Sequence, residues 1–458
     1  MALLSFLRRM LNAPAEPVRM EAAASANART AFPVILADID GDDGNIAASA
    51  VAAALEGTEG LILHRVDVGI GAADDSETPA ASLGKVVARA RALAAAHQAA
   101  AVIGGQMLAP GMVRLRFIAA SIDSDPASGT WTVGDMLDVP VPLPAGGGGF
   151  LRACVLASLT LANDVERRTR LALLRSALGD GEALIQGENA ALNGVAKAIA
   201  VVAYGGMLTE MGIRTHQQPV LDRAHQVLRG VVSKATRATT ETILPPVVIA
   251  AARLHLAAIA ADGGGRNSDM VRLEESGRQF QTAALAITGD VLPDDNASLW
   301  VQFGRAMHRL SALSGKTEHM KAAVQGYNLA SQVWSKGSNP DRWADLQYGM
   351  GSVLSQYGEF TGSAPALERA IAVFEKVAEV WTRDSNARRW AGLQNNIGAC
   401  RFALGKRSGA LPALRDAAER FSRALEVYQA LNMTRNIHVT QKNIARVERL
   451  ISVQEGAG

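Results

Sequence analysis

Four aromatic residues recur at an interval of 47 residues, and this spacing constrains the fold more than any other feature of the sequence. They are Phe280, Tyr327, Phe374 and Phe421. Two further series keep the same interval: Gly304, Gly351 and Gly398, and Trp334, Trp381 and Tyr428. Three positions in register indicate a repeat. Because a two-helix repeat buries its apolar face only against its neighbours, the spacing predicts an all-α superhelical solenoid of helical hairpins, typical of proteins that hold another macromolecule.

The three series fit a hairpin of two helices, A and B. In helix B an alanine, the aromatic residue and the distal Trp or Tyr stand at i, i+4 and i+11, as in Ala370, Phe374 and Trp381. This spacing puts them on one helical face. The glycine of helix A, Gly351 in this unit, lets a neighbouring helix approach closely. We therefore predict that the aromatic series lies in the core.

Polar residues also recur in helix A and supply a candidate binding surface. Asn396 and Asn443 share one position of the repeat, and Tyr348, Asn395 and Lys442 share the position before it. Such residues on inner helices can hydrogen-bond an extended peptide. The alternative is that they bond neighbouring turns or backbone groups between repeats. These five residues are the predicted protein-binding site.

The order of small, alanine and aromatic positions resembles the tetratricopeptide repeat, over about residues 247–451 of a predicted repeat region at 246–452. The period of 47 exceeds the usual 34, and the additional residues fall at both helix junctions. The first copy lacks the tryptophan, and the helix at 440–453 serves as a cap. The resemblance implies an elongated variant that binds a protein or peptide.

Before the repeats, strand and helix patterns alternate. Strands are predicted at 33–38, 60–68, 101–106, 112–121 and 130–135, with helices over Ile46–Leu55 and 83–98. Glycines 146–149 are flexible enough to mark a boundary. Helical patterns at 150–245 then bridge into the repeats. The predicted fold class is thus an α+β domain at 31–145 followed by the helical solenoid.

The front region resembles the small amino-terminal domain of TolB-like and FlgO-like bacterial proteins, often joined to tetratricopeptide repeats. The resemblance covers about residues 31–145, and its carriers are FPVILADIDGDDGN, ARALAAAHQAAAVIGGQ and GMVRLRFIAASIDSDPASGTW. Such domains are not known as catalysts. The resemblance therefore implies a binding or assembly module.

The acidic stretch after the first strand offers an alternative function, a nucleotide- or metal-responsive regulator or enzyme. Asp38 and Asp40 are spaced like a phosphatase nucleophile pair, and with Asp42 they resemble a calcium loop. However, Asp43 replaces the glycine of a calcium loop, and Ser49 replaces its bidentate acid. We expect a turn here, and we predict no catalytic residue, metal site or cofactor in the chain.

Charge and cysteine content limit the partners and the compartment. Residues 1–150 hold 10 Lys or Arg and 16 Asp or Glu, a net of −6, and the remaining 36 and 28 give +8. That positive charge is spread over roughly 300 residues without a dense basic run, which argues against nucleic acid. Cys154 and Cys400 lie in apolar patterns and predict buried thiols in a reducing, cytoplasmic compartment.

The first thirty residues form a separate segment. Between Leu3 and Leu11, apolar residues at helical spacing surround Arg8 and Arg9. The run is too short to span a bilayer, and its arginines interrupt it, unlike an export signal. The alternatives are a packing or flexible tail, or a helix that makes weak contact with a membrane surface or partner.

Overall fold

The structure is a computed structural model that describes residues 31–72, 79–121, 135–161, 164–186, 192, 194–236, 246–267, 270–286 and 292–456. The amino-terminal segment that includes Leu3 and Leu11 lies outside these residues. The described chain forms two compact units, and the change from one to the other falls between Asn296 and Ala297. We call them the front unit and the rear unit.

The front unit begins with a five-stranded mixed sheet. Its elements are β1 (Phe32–Asp40), α1 (Ile46–Leu55), β2 (Leu61–Gly69), α2 (Pro79–Ala96), β3 (Ala101–Ala109), β4 (Met112–Ala119) and β5 (Met136–Pro140). The strand order is β2-β1-β3-β4-β5. β1 pairs in parallel with β2 and β3, whereas β3, β4 and β5 pair antiparallel. Two crossovers through helices followed by hairpin pairing explain this mixture.

Both faces of the sheet are covered, which is why β1 reads as a continuous apolar run. Side chains alternate between faces: Val34 and Leu36 pack with α1 in one cluster, and Ile35 and Ala37 pack with α2 in another. The buried first strand and the helix at Ile46–Leu55 are therefore confirmed.

The predicted strand at 130–135 falls outside the described residues except for Asp135. Residues 122–134 lie outside the described part, and Asp135 precedes β5 rather than belonging to it. β5 runs from Met136 to Pro140 and pairs with β4, Leu137 opposite Leu115. The apolar residues that fill this edge of the sheet thus come after the predicted segment.

The helices that follow the sheet extend its core. They are α3 (Gly147–Ala157), α4 (Asp164–Gln186), α5 (Gly194–Thr215), α6 (Gln218–Thr236), α7 (Pro246–Asn267) and α8 (Met270–Ala286). Residues from β1 through Phe150 and Tyr204 to Ile259 belong to one hydrophobic cluster. The domain limits at residues 145 and 245 stay predictions. The apolar core contains residues on both sides of each limit.

The glycine run lies at the start of α3, and two of its members are buried. Gly146 has a φ of +78° and precedes α3, while Gly147 and Gly149 are buried in its first turn. A Cβ on Gly147 would lie 3.1 Å from Pro144. The absent side chains permit this close packing at the start of α3. A domain boundary at this point stays a prediction.

The rear unit consists of helical hairpins in strict register. Its helices are α9 (Pro293–Ser314), which begins at the end of the front unit, then α10 (Thr317–Ser331), α11 (Pro340–Thr361), α12 (Ala364–Ala378), α13 (Ala387–Ser408), α14 (Leu411–Ala430) and α15 (Thr434–Gly456). The A helices α9, α11, α13 and α15 begin 47 residues apart, and so do the B helices α10, α12 and α14. The α+β unit followed by helical repeats confirms the predicted fold class.

Each rear hairpin is held by the glycine and aromatic positions of the repeat. Tyr327, Phe374 and Phe421 are at most 3% exposed. A Cβ on Gly351 would stand 2.7 Å from the Phe374 ring, and one on Gly398 would stand 3.1 Å from Phe421. The absent side chain lets the ring lie directly on helix A. The prediction that the aromatic series is core is confirmed.

The turns of the array repeat as well. Gly315, Gly362 and Gly409 have φ values of +69°, +73° and +70° at the ends of α9, α11 and α13. Glycine adopts this left-handed conformation without a steric penalty. Between units, Lys336 pairs with Glu379, and Arg383 pairs with Glu426 at the equivalent position. The same ends, turns and ion pairs therefore recur every 47 residues.

Candidate protein-binding surface

The five predicted binding residues lie on the A helices of the rear unit but differ in exposure. Asn395 and Asn443 are 4% and 6% exposed, Tyr348 and Asn396 are half-buried, and Lys442 is exposed. A docked partner could reach Lys442 directly. The role of the full set in binding stays a prediction.

Contacts between successive A helices explain the burial. The Asn396 Nδ2 donates to the Tyr348 hydroxyl at 3.1 Å, which joins α13 to α11. Burial raises the pKa of the Tyr348 hydroxyl, so it remains protonated at neutral pH. The Tyr348 ring also packs 5.8 Å from Phe374 and 5.7 Å from Trp381. These polar side chains therefore bond one another between repeats, whereas the alternative predicts neighbouring turns or backbone groups as their partners.

More polar groups are buried between α9, α11 and α13. The Ser311 hydroxyl donates to Gln356 Oε1 at 3.1 Å, and the Cys400 thiol donates to Ser355 Oγ at 3.2 Å. Burial raises the pKa of the Cys400 thiol to about 12, so this buried cysteine is unreactive at neutral pH, as its apolar pattern predicted.

Two titratable groups in this layer are uncharged at neutral pH. Burial lowers the pKa of His308 to about 4, with Arg309 contributing in the same direction. Burial alone raises the pKa of Glu359 to about 8. His308 is only 7% exposed.

Two arginines that stack on the repeated tryptophans were not predicted, although they follow the same period of 47 residues. Arg342 lies over the Trp334 ring at 4.7 Å, and Arg389 lies over the Trp381 ring at 4.4 Å. Arg389 also pairs with Asp345 at 3.3 Å. Because 342 and 389 differ by 47, their register was visible in the sequence. The buried Trp334 and Trp381 rings thus also hold an arginine of the following A helix by a cation–π contact.

The acidic loop after β1 has a structural explanation. The Asp42 carboxylate accepts hydrogen bonds from the backbone N–H groups of Ile46, Ala47 and Ala48 at 3.0, 3.1 and 2.9 Å. It therefore occupies the amino end of α1, where an anion would otherwise bind.

Asp38 and Asp40 end β1 beside β2 and β3, a usual ligand-binding edge of an α/β sheet. Burial raises the pKa of Asp40, the Arg89 guanidinium opposes this, and the Asp38 carboxylate adds to it. The described residues contain no group of three His, Cys, Asp or Glu side chains placed to hold a metal ion.

One helix of the described chain, α5, is long and apolar enough to cross a membrane. However, 67% of its apolar window is buried inside the protein. Buried Glu210 in this helix pairs with Arg170 and Arg214. These features are those of a core helix.

Comparisons with known proteins leave the family open. No family model matches the chain, and no curated protein matches it. Among solved structures, it is similar to a "circular tandem repeat protein with novel repeat topology and enhanced subunit contact surfaces", at 12% identity and a TM-score of 0.25. The match covers 68% of this chain and 85% of that one. So low a TM-score carries no argument, and the helical-repeat architecture rests on the chain's own elements.

Proposed function

We propose that this chain is a non-enzymatic scaffold that binds a protein or peptide partner through its rear helical repeats. The observation that supports this most strongly is the repetition of one hairpin at an exact interval of 47 residues. Consecutive copies place equivalent side chains in a row, which suits an extended macromolecular partner. The tetratricopeptide-like character of the hairpins and the TolB-like character of the front sheet belong to this proposal.

The A helices offer suitable exposed positions. Asp341, Arg388 and Arg435 occupy the same position of three successive units, and all three are exposed. Lys442 lies two turns further along α15. These charged side chains form the part of the inner helical layer that a partner can contact without unfolding a hairpin.

Site-specific photo-crosslinking in the native cell tests the proposal. A benzophenone side chain at Arg388 should crosslink the full-length protein to a discrete protein, and the crosslinked peptide should map to that partner's surface. The same group at Glu56, an exposed residue of the front unit, is the matched control. Crosslinks from Glu56 with none from Arg388 would refute binding through the repeats.

A further inference from the structure

The last described helix, α15, carries a row of basic residues along one exposed side. We call the four cations Arg435, Lys442, Arg446 and Arg449, together with His438 in line with them, the cationic stripe, and all five side chains are exposed. Their spacing of 3, 4, 4 and 3 residues keeps them within a sector of about 80° when each residue turns the helix by about 100°. The stripe extends over about 21 Å of helix. It is therefore one continuous basic surface.

The 47-residue repeat shows which residues of the preceding A helices stand at the positions of the stripe. The positions of His438, Lys442 and Arg449 correspond to Ala344, Tyr348 and Ser355 in α11 and to Ala391, Asn395 and Phe402 in α13. In α11 these residues face the next unit: Tyr348 bonds Asn396, and Ser355 bonds Cys400. In α13, Ala391 is fully buried and Phe402 packs in a cluster with Val447 of α15. Three of the five stripe positions, those of His438, Lys442 and Arg449, thus lie on the face against which another A helix packs in the preceding units, whereas the position of Arg435 is exposed in all three units.

Three cations of the stripe have no acidic partner among the described residues. Among the described residues, Lys442, Arg446 and Arg449 take part in no ion pair. Glu455 pairs with Arg415 of α14 at 2.8 Å, and Glu448 lies about 120° around the helix from Lys442. Elsewhere in the array, exposed charges pair between units, as Arg383 does with Glu426. The stripe differs in carrying one sign of charge over four turns.

A polar outer face on a terminal helix is also what solubility requires. Charged side chains of both signs, at any position around the exposed part of the helix, would be enough for solubility. The stripe instead concentrates cations in the sector where the preceding units accept a helix. We propose that the cationic stripe binds an acidic helix of another protein, which lies beside α15 in the place of the next A helix and presents one carboxylate per turn. This inference rests on the proposed scaffold function and specifies the chemistry of the partner.

Two labelled helical peptides of about 20 residues test the proposal with the full-length protein. Both contain the same residues, but one aligns its glutamates on a single face and the other distributes them around the helix. By fluorescence anisotropy in about 50 mM salt, the aligned peptide should bind roughly tenfold more tightly, and about 300 mM salt should weaken its binding.

Charge reversal assigns the binding to the stripe. The double variant Lys442→Glu, Arg446→Glu should lose at least roughly tenfold in affinity for the aligned peptide and should bind a lysine-faced peptide that the unmodified protein does not bind. The matched control Lys321→Glu, Arg369→Glu reverses one exposed lysine and one exposed arginine on α10 and α12 and should change affinity by less than about twofold.

The proposal is overturned if the two acidic peptides bind equally or the aligned peptide does not bind. It is also overturned if a DNA duplex of about 20 base pairs, or vesicles containing phosphatidylserine, bind the stripe more tightly than the aligned peptide under the same conditions. A protein crosslinked at Arg388 together with any of these results would remove the acidic-helix inference but leave the scaffold function standing.

Discussion

The contact between Gly351 and Phe374 predicts opposite effects for two glycine-to-alanine substitutions in neighbouring A helices. A Cβ on Gly351 would stand 2.7, 2.9 and 3.0 Å from three atoms of the Phe374 ring, which is fully buried. A Cβ on Gly392 of α13 would have no neighbour closer than 4.0 Å. Both glycines are helical, so the backbone effect of alanine is the same for both.

The magnitudes follow from two opposing terms. Alanine stabilises a helix interior by about 1 kcal/mol relative to glycine. Overpacking a filled core costs about 1–3 kcal/mol. Gly392→Ala should therefore raise the free energy of unfolding by about 0.5–1 kcal/mol, whereas Gly351→Ala should lower it by up to about 2 kcal/mol. Because the backbone term cancels, the difference between the variants isolates the clash.

Urea unfolding followed by tryptophan fluorescence measures this difference in unfolding free energy for the rear unit. Five of the six tryptophans lie in the rear unit, at 300, 334, 343, 381 and 390. The m-values should be unchanged, so that shifts in midpoint report stability alone. Adding Phe374→Leu to Gly351→Ala should recover at least about 1 kcal/mol relative to the sum of the single effects. If Gly351→Ala is as stable as Gly392→Ala, the ring does not lie against helix A as described.

Three further outcomes are expected. Asp42→Ala should destabilise the front unit by about 1–2 kcal/mol because three backbone N–H groups lose their acceptor. Asp43→Ala, at an exposed neighbouring residue, should leave the free energy of unfolding nearly unchanged. Urea unfolding of both variants checks this. The pKa of Glu359 in the folded protein is raised to about 8, so its stabilising contribution is complete below the unfolded pKa and is lost as pH rises to about 8. Glu359→Gln should therefore increase the free energy of unfolding of the rear unit by at least about 1 kcal/mol at pH 8.5 and should not increase it at pH 4.5. An equal gain at both pH values would contradict this. Since the pKa of His308 is lowered to about 4, stability is present above pH 6.5 and falls as pH drops toward 4; His308→Gln should flatten that acid limb in unfolding measurements at a series of pH values.

The repeat made the rear unit readable from the sequence. Prolines at 246, 293 and 340 stand at the first position of α7, α9 and α11, and glycines at 315, 362 and 409 follow the A helices. Both residue types act through local backbone geometry, so their positions fix helix ends without knowledge of the fold. The aromatic series fixed the buried face for the same reason, since its spacing alone places it on one side of helix B.

The front core could not be read in this way, because its decisive contacts join distant residues. His255 of α7 lies 3.1 Å from Asp135, 120 residues earlier, and both are buried. Arg170 of α4 pairs with Glu210 of α5 and bonds the carbonyl oxygens of Leu156 and Ala157. No periodicity signals such pairs. Glycines 146–149 illustrate the same limit, since only the packing distinguishes a flexible linker from a close helix start.

The predicted binding residues show a third kind of limit, which concerns the position of a unit within the described array. Tyr348, Asn395 and Lys442 occupy one position of the repeat, so periodicity assigns them one role. The first is half-buried, the second is buried and the third is exposed, because a following A helix covers α11 and α13, whereas the described residues place no helix against this side of α15. The residue type changes with the environment: aromatic and amide groups stand between helices, and lysine stands where packing ends. A repeat position therefore specifies the direction of a side chain, and only its place in the array decides whether that direction points to a neighbouring helix or to solvent.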